Sequence, residues 1–184
     1  MAERDGLFQV SVMNVFRQAA RERDAKRNDS ELTEDGGRVL SSRSIERRHG
    51  ASQSTLREHL AQDLGNLMGT IHLEAAQSLA GLPYVQKSVL NYGMLDMTRM
   101  TTEDFKSGTL TRDLRAALLA HEPRLIAETL VIKLRSLKAD EQQRISFDIT
   151  AEMAARPVDV PLEFVAEIDT GAGKVALSNL VVRG

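Results

Sequence analysis

Two segments of the chain repeat apolar residues every three or four positions, and this spacing places the side chains on one face of a helix. The positions are Leu56, Leu60, Leu64, Leu67 and Ile71 in the first segment and Leu110, Leu114, Ala117 and Leu118 in the second. Thr55 and Glu58 match a capping box, which predicts that the first helix begins near residue 55. Pro123 restricts the residue before it, so we expect the second helix to end by His121.

Beyond residue 126 the apolar period changes to two, which is typical of strands with one buried face. The alternating positions are Ile126, Leu130, Ile132 and Leu134, then Ile145, Phe147, Ile149, Ala151 and Met153, then Leu162, Phe164, Ala166 and Ile168, then Val175, Leu177, Leu180 and Val182. Residues 170–173 predict a hairpin loop, and a phase slip near Asn179 predicts a bulge. Helices followed by strands predict an α+β fold. We expect N-terminal helices packed on a C-terminal mixed or antiparallel sheet of about four strands that ends in a β-hairpin.

The first fifty residues have a different character from the rest of the chain. Apolar residues from Phe8 to Ala19 recur on one helical face, and residues 28–54 are polar and rich in turn-forming residues. We therefore divide the chain into an N-terminal arm, residues 1–51, and a domain, residues 52–184. The arm helix could pack on its own domain or on a partner, and self-packing is favoured.

Composition excludes several classes of function. The 184 residues include 24 basic and 26 acidic side chains, and this balance argues against broad binding to nucleic acid. There is no cysteine, which excludes disulfides and thiolate chemistry. The four histidines lack metal-binding spacing, so we expect neither a metal nor a cofactor. No apolar run is long enough to span a membrane and no secretory signal is apparent, so a cytoplasmic protein without membrane insertion is expected.

Two local motifs could carry more specific chemistry. Asp169-Thr170-Gly171-Ala172 matches the motif of retroviral-type aspartic proteases, although a hairpin turn also favours Asp and Gly at these positions. Glu122-Pro123-Arg124-Leu125 follows the second helix, and Pro123 holds an extended chain in which residues 122 and 124 point the same way. Either Glu122 and Arg124 form a local salt bridge, or they are a rigid recognition pair for another chain. The sequence leaves both interpretations open.

Taken together, the motifs resemble a known family. Their order along the chain is Ser88-Val89-Leu90-Asn91-Tyr92-Gly93, then a helix, then residues 122–125, then alternating strands. In this order they resemble the lysozyme-related baseplate wedge proteins of contractile injection machines. This family includes the TssE component of type VI secretion systems and relatives in T4-like phages. Residues 56–64 and 67–70 resemble its first helix and the turn after it. The resemblance covers about residues 52–182 and favours TssE over a phage protein.

The resemblance implies a structural, non-enzymatic role. The family joins the TssF, TssG and TssK wedge to the contractile sheath of TssB and TssC, in a baseplate at the inner face of the inner membrane. By this resemblance, the residues expected to bind partners are Asn91, Tyr92, Gly93, Glu122, Pro123, Arg124 and Leu125. The hairpin expected to pair with a sheath subunit by strand addition contains Phe164, Ala166, Ile168, Val175 and Leu177. The alternatives are a hydrolase, either aspartic or muramidase-like, and a regulatory adaptor that uses the arm helix.

Overall fold

The structure is a computed structural model that describes residues 8–9, 12–23, 50–99, 104, 108–136, 144–156, 158–169 and 171–182. The chain divides into two compact units. The first contains residues 1–59 and 155–158, and the second contains residues 60–154 and 159–184. The predicted boundary after residue 51 stays a prediction, and the predicted linker lies largely outside the described residues.

In the first unit, helix α1 spans Val12–Glu22. Phe8 and Ala51 form a backbone bridge in which each amide donates to the other's carbonyl, at 2.9 and 2.8 Å. The side chain of Phe16, which the pattern placed on the apolar face of α1, is 64% exposed. Asn14 is buried instead and accepts a hydrogen bond from Arg17 at 3.2 Å.

Helix α2 spans Gln53–Met68 and begins earlier than predicted. The hydroxyl of Ser52 accepts a hydrogen bond from the amide of Thr55 at 3.2 Å, and the Ser52 carbonyl accepts the amide of Leu56 at 3.0 Å. Ser52 is therefore the N-cap, and the predicted capping box at Thr55 is wrong. Ser52, three residues before Thr55, accepts a hydrogen bond from an amide of the first helical turn, which is the role that was predicted for the side chain of Thr55.

The second unit contains the remaining described helices. The buried residues Leu60, Leu64 and Leu67 confirm the predicted stripe of α2, whereas Ile71 lies beyond the end of the helix and is 48% exposed. Short elements follow at Leu73–Ala75, Pro83–Gln86 (α3), Val89–Asn91 and Met97–Arg99. Helix α4, Thr109–His121, buries Leu110, Leu114 and Leu118, and it ends where Pro123 predicts.

The strands are β1 Val131–Ser136, β2 Arg144–Met153, β3 Val160–Asp169 and β4 Lys174–Val182. They form an antiparallel four-stranded sheet in the order β1-β2-β3-β4, which confirms the α+β fold. The apolar positions of β2 and β3 that alternate in the sequence are buried, so one face of the sheet belongs to the core. Helix α4 packs against β1. Strand β1 begins at Val131, so Ile126 and Leu130 both precede the strand in which they were predicted.

The last hairpin has the two predicted irregularities. The pairing of β3 with β4 shifts between residues 163 and 165, and Asn179 takes a φ of 51°, so the predicted bulge is confirmed. In the hairpin loop the carboxylate of Asp169 accepts the amide of Ala172 at 2.8 Å. Gly173 has a φ of 66° and packs so closely on Thr98 that a side chain would collide with it.

Candidate functional site

The segment Glu122–Leu125 connects α4 to the sheet and forms a turn in which the amide of Leu125 donates to the carbonyl of Glu122 at 3.1 Å, so the predicted extended chain is wrong. The segment is fixed by its backbone. The amide of Glu122 donates to the carbonyl of Leu118 at 2.8 Å, which completes the last turn of α4. The carbonyl of Arg124 accepts the amide of Ala154 at 2.8 Å, and the amide of Ile126 donates to the carbonyl of Glu152 at 2.9 Å. The segment is thus held at both ends, and the side chains of residues 122 and 124 extend from a rigid base.

These two side chains form an ion cluster with Asp63 of α2, and we call Asp63, Glu122 and Arg124 the ion cluster. Arg124 donates from Nε to Oε1 of Glu122 and from Nη2 to Oε2, both at 2.6 Å, so the two planar groups meet in a fork. Nη2 also donates to Oδ2 of Asp63 at 2.7 Å. The two carboxylates and one guanidinium give the cluster a formal charge of −1.

The cluster is buried to different degrees along its length. The side chain of Glu122 is 6% exposed, that of Asp63 19% and that of Arg124 25%. Burial on its own lowers the pKa of Arg124, but the hydrogen bonds and negative charges of Glu122 and Asp63 outweigh burial and raise that pKa above its ordinary value. Arg124 therefore stays charged at any physiological pH, and a quarter of it faces solvent in a fixed orientation.

The local salt bridge predicted as one interpretation of Glu122 and Arg124 is present, and it includes a third residue that sequence reasoning missed. Asp63 lies three positions after Leu60 and four before Leu67, on the apolar stripe of α2. An acid on a buried helical face requires a cationic or hydrogen-bonding partner. That interruption of the stripe is the signal that could have identified Asp63.

Tyr92 lies beside the ion cluster. Its hydroxyl is 3.5 Å from the backbone carbonyl of Asp63, and its ring meets the ring of His121 edge-on with centroids 5.2 Å apart. Tyr92 therefore contacts both α2, which carries Asp63, and the last residue of α4, directly before Glu122. The structure thus brings together the Asn-Tyr-Gly and Glu-Pro-Arg-Leu motifs, which are about thirty residues apart in the sequence.

Asn91 and Gly93 hold the chain around Tyr92. The buried side chain of Asn91 accepts the amide of Glu74 at 3.0 Å and donates to the carbonyl of Gln86 at 3.1 Å. Gly93 has a φ of 130°, and a β-carbon there would lie 2.5 Å from the carbonyl oxygen of Thr70. These contacts assign a structural role to both residues. Their predicted contact with a partner, like that of Pro123 and Leu125, stays a prediction.

The hairpin residues occupy two kinds of strand. Strand β3 lies between β2 and β4, so its backbone is paired on both sides, and Phe164, Ala166 and Ile168 are buried. Strand β4 lies at the edge of the sheet, with Val175 buried and Leu177 partly buried. The backbone available for strand addition in this hairpin is therefore that of β4.

The two edges of the sheet differ in length and charge. Strand β1 has six residues, carries Lys133 and Arg135, and shifts register between Leu134 and Ser136. Charges on an edge strand discourage pairing with another chain, whereas a register shift occurs at both edges, in β1 and in β4. Strand β4 has nine residues and, after Lys174, no charged residue through Val182. Among the described residues, no strand pairs with the outer side of β4, and this edge is regular from residue 174 to residue 178, before the bulge at Asn179.

The comparison with known protein families shows to which family the chain belongs. The family described as "Baseplate wedge protein gp25" matches residues 54–158, more than half of the chain, and this match includes all three residues of the ion cluster. The chain belongs to this baseplate wedge family. The match confirms the resemblance seen in the motifs, and β3 and β4 lie beyond its end. No curated protein and no solved structure matches the chain significantly.

Membership of this family makes the chain a structural baseplate protein. Within the described ranges, no helix is long and apolar enough to cross a membrane, and no three histidines or carboxylates are grouped to hold a metal ion. The carboxylate of Asp169, the residue of the protease-like motif, accepts a hydrogen bond from the amide of Ala172 within the hairpin turn. Both carboxylate oxygens of Glu122 bind Arg124.

Proposed function

We propose that this baseplate wedge protein is the TssE component of a type VI secretion system, which transforms no substrate. It joins the TssF, TssG and TssK wedge to the sheath of TssB and TssC and starts sheath assembly by strand addition. It would do so in the cytoplasm, on a baseplate at the inner face of the inner membrane. The observation that supports the sheath role is the uncharged outer edge of β4, beside which no described residue forms a further strand.

Strand addition would use the backbone of β4 as a template. An extended arm of a sheath subunit would form main-chain hydrogen bonds along this edge and extend the sheet by one strand. Because side chains alternate between the two faces, a slip of one residue would place the apolar side chains of the arm in water. The bulge at Asn179 would limit regular pairing to the part of β4 before it.

The ion cluster would serve the other junction, with the wedge. Asp63 and Glu122 hold the guanidinium of Arg124 in one orientation, so its exposed quarter is preorganised for an acceptor on the partner. Pro123, which is exposed, lies beside it. The wedge partner would therefore contact a fixed cationic edge with little further loss of side-chain entropy.

Proline substitutions in β4 test the sheath role. Of two adjacent residues on an antiparallel edge, one directs its amide to the neighbouring strand and the other directs it outward. One of Ala176→Pro and Leu177→Pro should therefore keep the fold, because it removes only an outward donor. Thermal unfolding followed by circular dichroism identifies that variant. We expect it to join the wedge normally but to fail to nucleate sheath polymers from purified TssB and TssC.

The matched control lies at the opposite edge of the same sheet. Ile132→Pro and Lys133→Pro form the corresponding pair in β1, and the folded member should nucleate sheath normally. Normal sheath assembly by the folded β4 variant would contradict strand addition at this edge.

The wedge role is tested by Arg124→Lys, which keeps the charge but removes the planar fork. We expect the variant to lose co-purification with TssF, TssG and TssK while its unfolding transition shows that it remains folded. Arg115→Lys is the control, because Arg115 donates to the carbonyls of Ala127 and Leu130 and so also fastens a local turn. If both variants lose binding only in proportion to their stability, Arg124 has no recognition role.

One observation favours the adaptor as a second candidate. Met13 and Phe16 of α1 are 59% and 64% exposed, so this helix presents apolar side chains to solvent. If the protein is an adaptor, the substitution Phe16→Ser should abolish binding to its partner and leave the protein folded. A wedge protein with Phe16→Ser should still co-purify with TssF, TssG and TssK.

A further inference from the structure

A second surface, apart from the ion cluster and β4, exposes a set of large apolar side chains. They lie on the turn Leu73–Ala75, on and before α3, and on the turn Val89–Asn91. The exposed fractions are 36% for Leu73, 49% for Leu82, 91% for Tyr84, 84% for Val89 and 67% for Leu90. So much exposed apolar surface in so short a stretch is typical of an interaction site, and we call these five residues the apolar patch.

The elements that carry the apolar patch are fixed to one another. Asn91 bonds the amide of Glu74 and the carbonyl of Gln86, and Gln86 Nε2 donates to Glu74 Oε1 at 3.0 Å. Ser88 caps the turn Val89–Asn91 by accepting the amide of Leu90 at 3.2 Å. The surface is therefore formed before any partner binds, which reduces the entropy lost on binding.

An acidic pocket of about 400 Å³ borders the apolar patch. Its described lining includes His72 and four carboxylates, those of Glu74, Asp96, Asp104 and Asp113, and no lysine or arginine, although the largely exposed Arg112 lies 3.9 Å from Asp113. His72 and Glu74 flank Leu73, so the pocket and the patch share one turn. These carboxylates are not grouped as a metal site among the described residues. A basic side chain would complement the charge of this pocket.

We propose that the apolar patch binds an amphipathic segment of a second baseplate protein, whose apolar side chains cover Tyr84, Val89 and Leu90. An arginine or lysine of the same segment enters the acidic pocket. This inference rests on the proposed function, since it assigns a further contact within the wedge. A second copy of this chain fits less well, because an isologous dimer would bring two acidic pockets together.

Cysteine labelling tests the apolar patch directly, because the chain has no cysteine of its own. Val89→Cys and the control Lys133→Cys, on the exposed face of β1, are each labelled with a maleimide dye. Labelling is measured on the isolated protein and on the complex purified with TssF, TssG and TssK. We expect the wedge to protect position 89 and to leave position 133 reactive.

Charge reversal tests the acidic pocket. Asp113→Lys should weaken binding to the wedge by about tenfold or more, as expected for a desolvated charge contact. Glu58→Lys reverses an exposed carboxylate outside the pocket and should leave binding unchanged. Thermal unfolding of each variant shows whether it is folded.

The outcomes separate this inference from the proposed function. If no complex forms with the unsubstituted chain, the proposed function fails and the inference fails with it. If the complex forms but position 89 stays as reactive as in the isolated protein, the inference alone is overturned. If position 89 is protected but Asp113→Lys binds the wedge normally, the proposed contact of a basic side chain with the acidic pocket is overturned. If position 89 is protected by self-association in the absence of the wedge proteins, the inference is overturned, because the occupant of the apolar patch is then a second copy of this chain.

Discussion

The sheet and the segment of residues 70–94 are held together in different ways. Strands β2 and β3 pair over ten consecutive positions, from Arg144 opposite Asp169 to Met153 opposite Val160. Residues 70–94 contain only short turns and the four-residue helix α3, and individual side chains such as Asn91 connect them. The sheet therefore spreads its stabilisation over many equivalent contacts, whereas the segment concentrates it in a few.

This difference teaches where single substitutions should have large effects. A regular ladder tolerates the loss of one methyl group, because its neighbours keep both their pairing and their burial. A segment without a repeating ladder loses a whole connection when one residue changes. In this protein the second kind of structure carries Tyr92 to the ion cluster and displays the apolar patch, so the proposed partner contacts depend on it.

The largest effect is expected from Gly93→Ala. The φ of 130° is accessible almost only to glycine, and the added carbon would lie 2.5 Å from the carbonyl oxygen of Thr70 and 2.8 Å from the amide of His72. We expect a loss of about 3 kcal/mol or more in the free energy of unfolding, measured with urea. Gly65→Ala in α2 is the control, because nothing lies within 4 Å of its new carbon. This control should gain about 0.5–1 kcal/mol. Equal effects at the two glycines would contradict a close backbone approach at residue 93.

The next effect is expected from Asn91→Ala. The change leaves the amide of Glu74 and the carbonyl of Gln86 without their partner in a partly buried place, and we expect a loss of about 1–3 kcal/mol. Gln86→Ala removes an exposed bond between the same two elements and should stay within about 0.5 kcal/mol of the unsubstituted protein. A urea titration of both variants makes the comparison. If Gln86→Ala costs as much as Asn91→Ala, burial is not what makes Asn91 important.

A smaller effect is expected in the sheet from Ile149→Val. Ile149 is fully buried in β2 opposite Phe164, and losing one methylene there should lower the free energy of unfolding by about 1 kcal/mol. The mutant should keep its near-ultraviolet circular dichroism, because the surrounding ladder is intact. A loss as large as that of Gly93→Ala would contradict the view that the sheet distributes its stabilisation.

The same contrast explains how far the sequence predicts the fold. Alternation over β2 and β3, the end of α4 before Pro123 and the bulge at Asn179 are local signals, and all three are confirmed. The start of α2 at Ser52 was missed because a serine and a threonine both offer a plausible cap within three residues. The arrangement of residues 70–94 has no period from which it could be predicted.

The candidate site was predicted only in part, for a related physical reason. The salt bridge between Glu122 and Arg124 was one of two interpretations of the sequence and is present, but it forms across a turn and not along the extended chain that was predicted. The contact of Arg124 with Asp63 spans 61 residues, and the contact of Tyr92 with the same helix turn spans 29. Such contacts depend on how helices pack, and no local pattern specifies that packing.

The smallest effect is expected from Arg135→Ala on the exposed face of the sheet. Arg135 Nε donates to Asp148 Oδ2 at 3.1 Å, but the two side chains are 52% and 32% exposed, so water and salt screen the pair. We expect a loss of about 0–1 kcal/mol that shrinks as sodium chloride is added to the urea titration. Arg124→Ala at the same salt concentrations should cost more and depend less on salt, because its carboxylate partners are largely buried. Equal salt sensitivity of the two arginine variants would show that the ion cluster is as hydrated as a surface pair, and its role as a preorganised contact would then be lost.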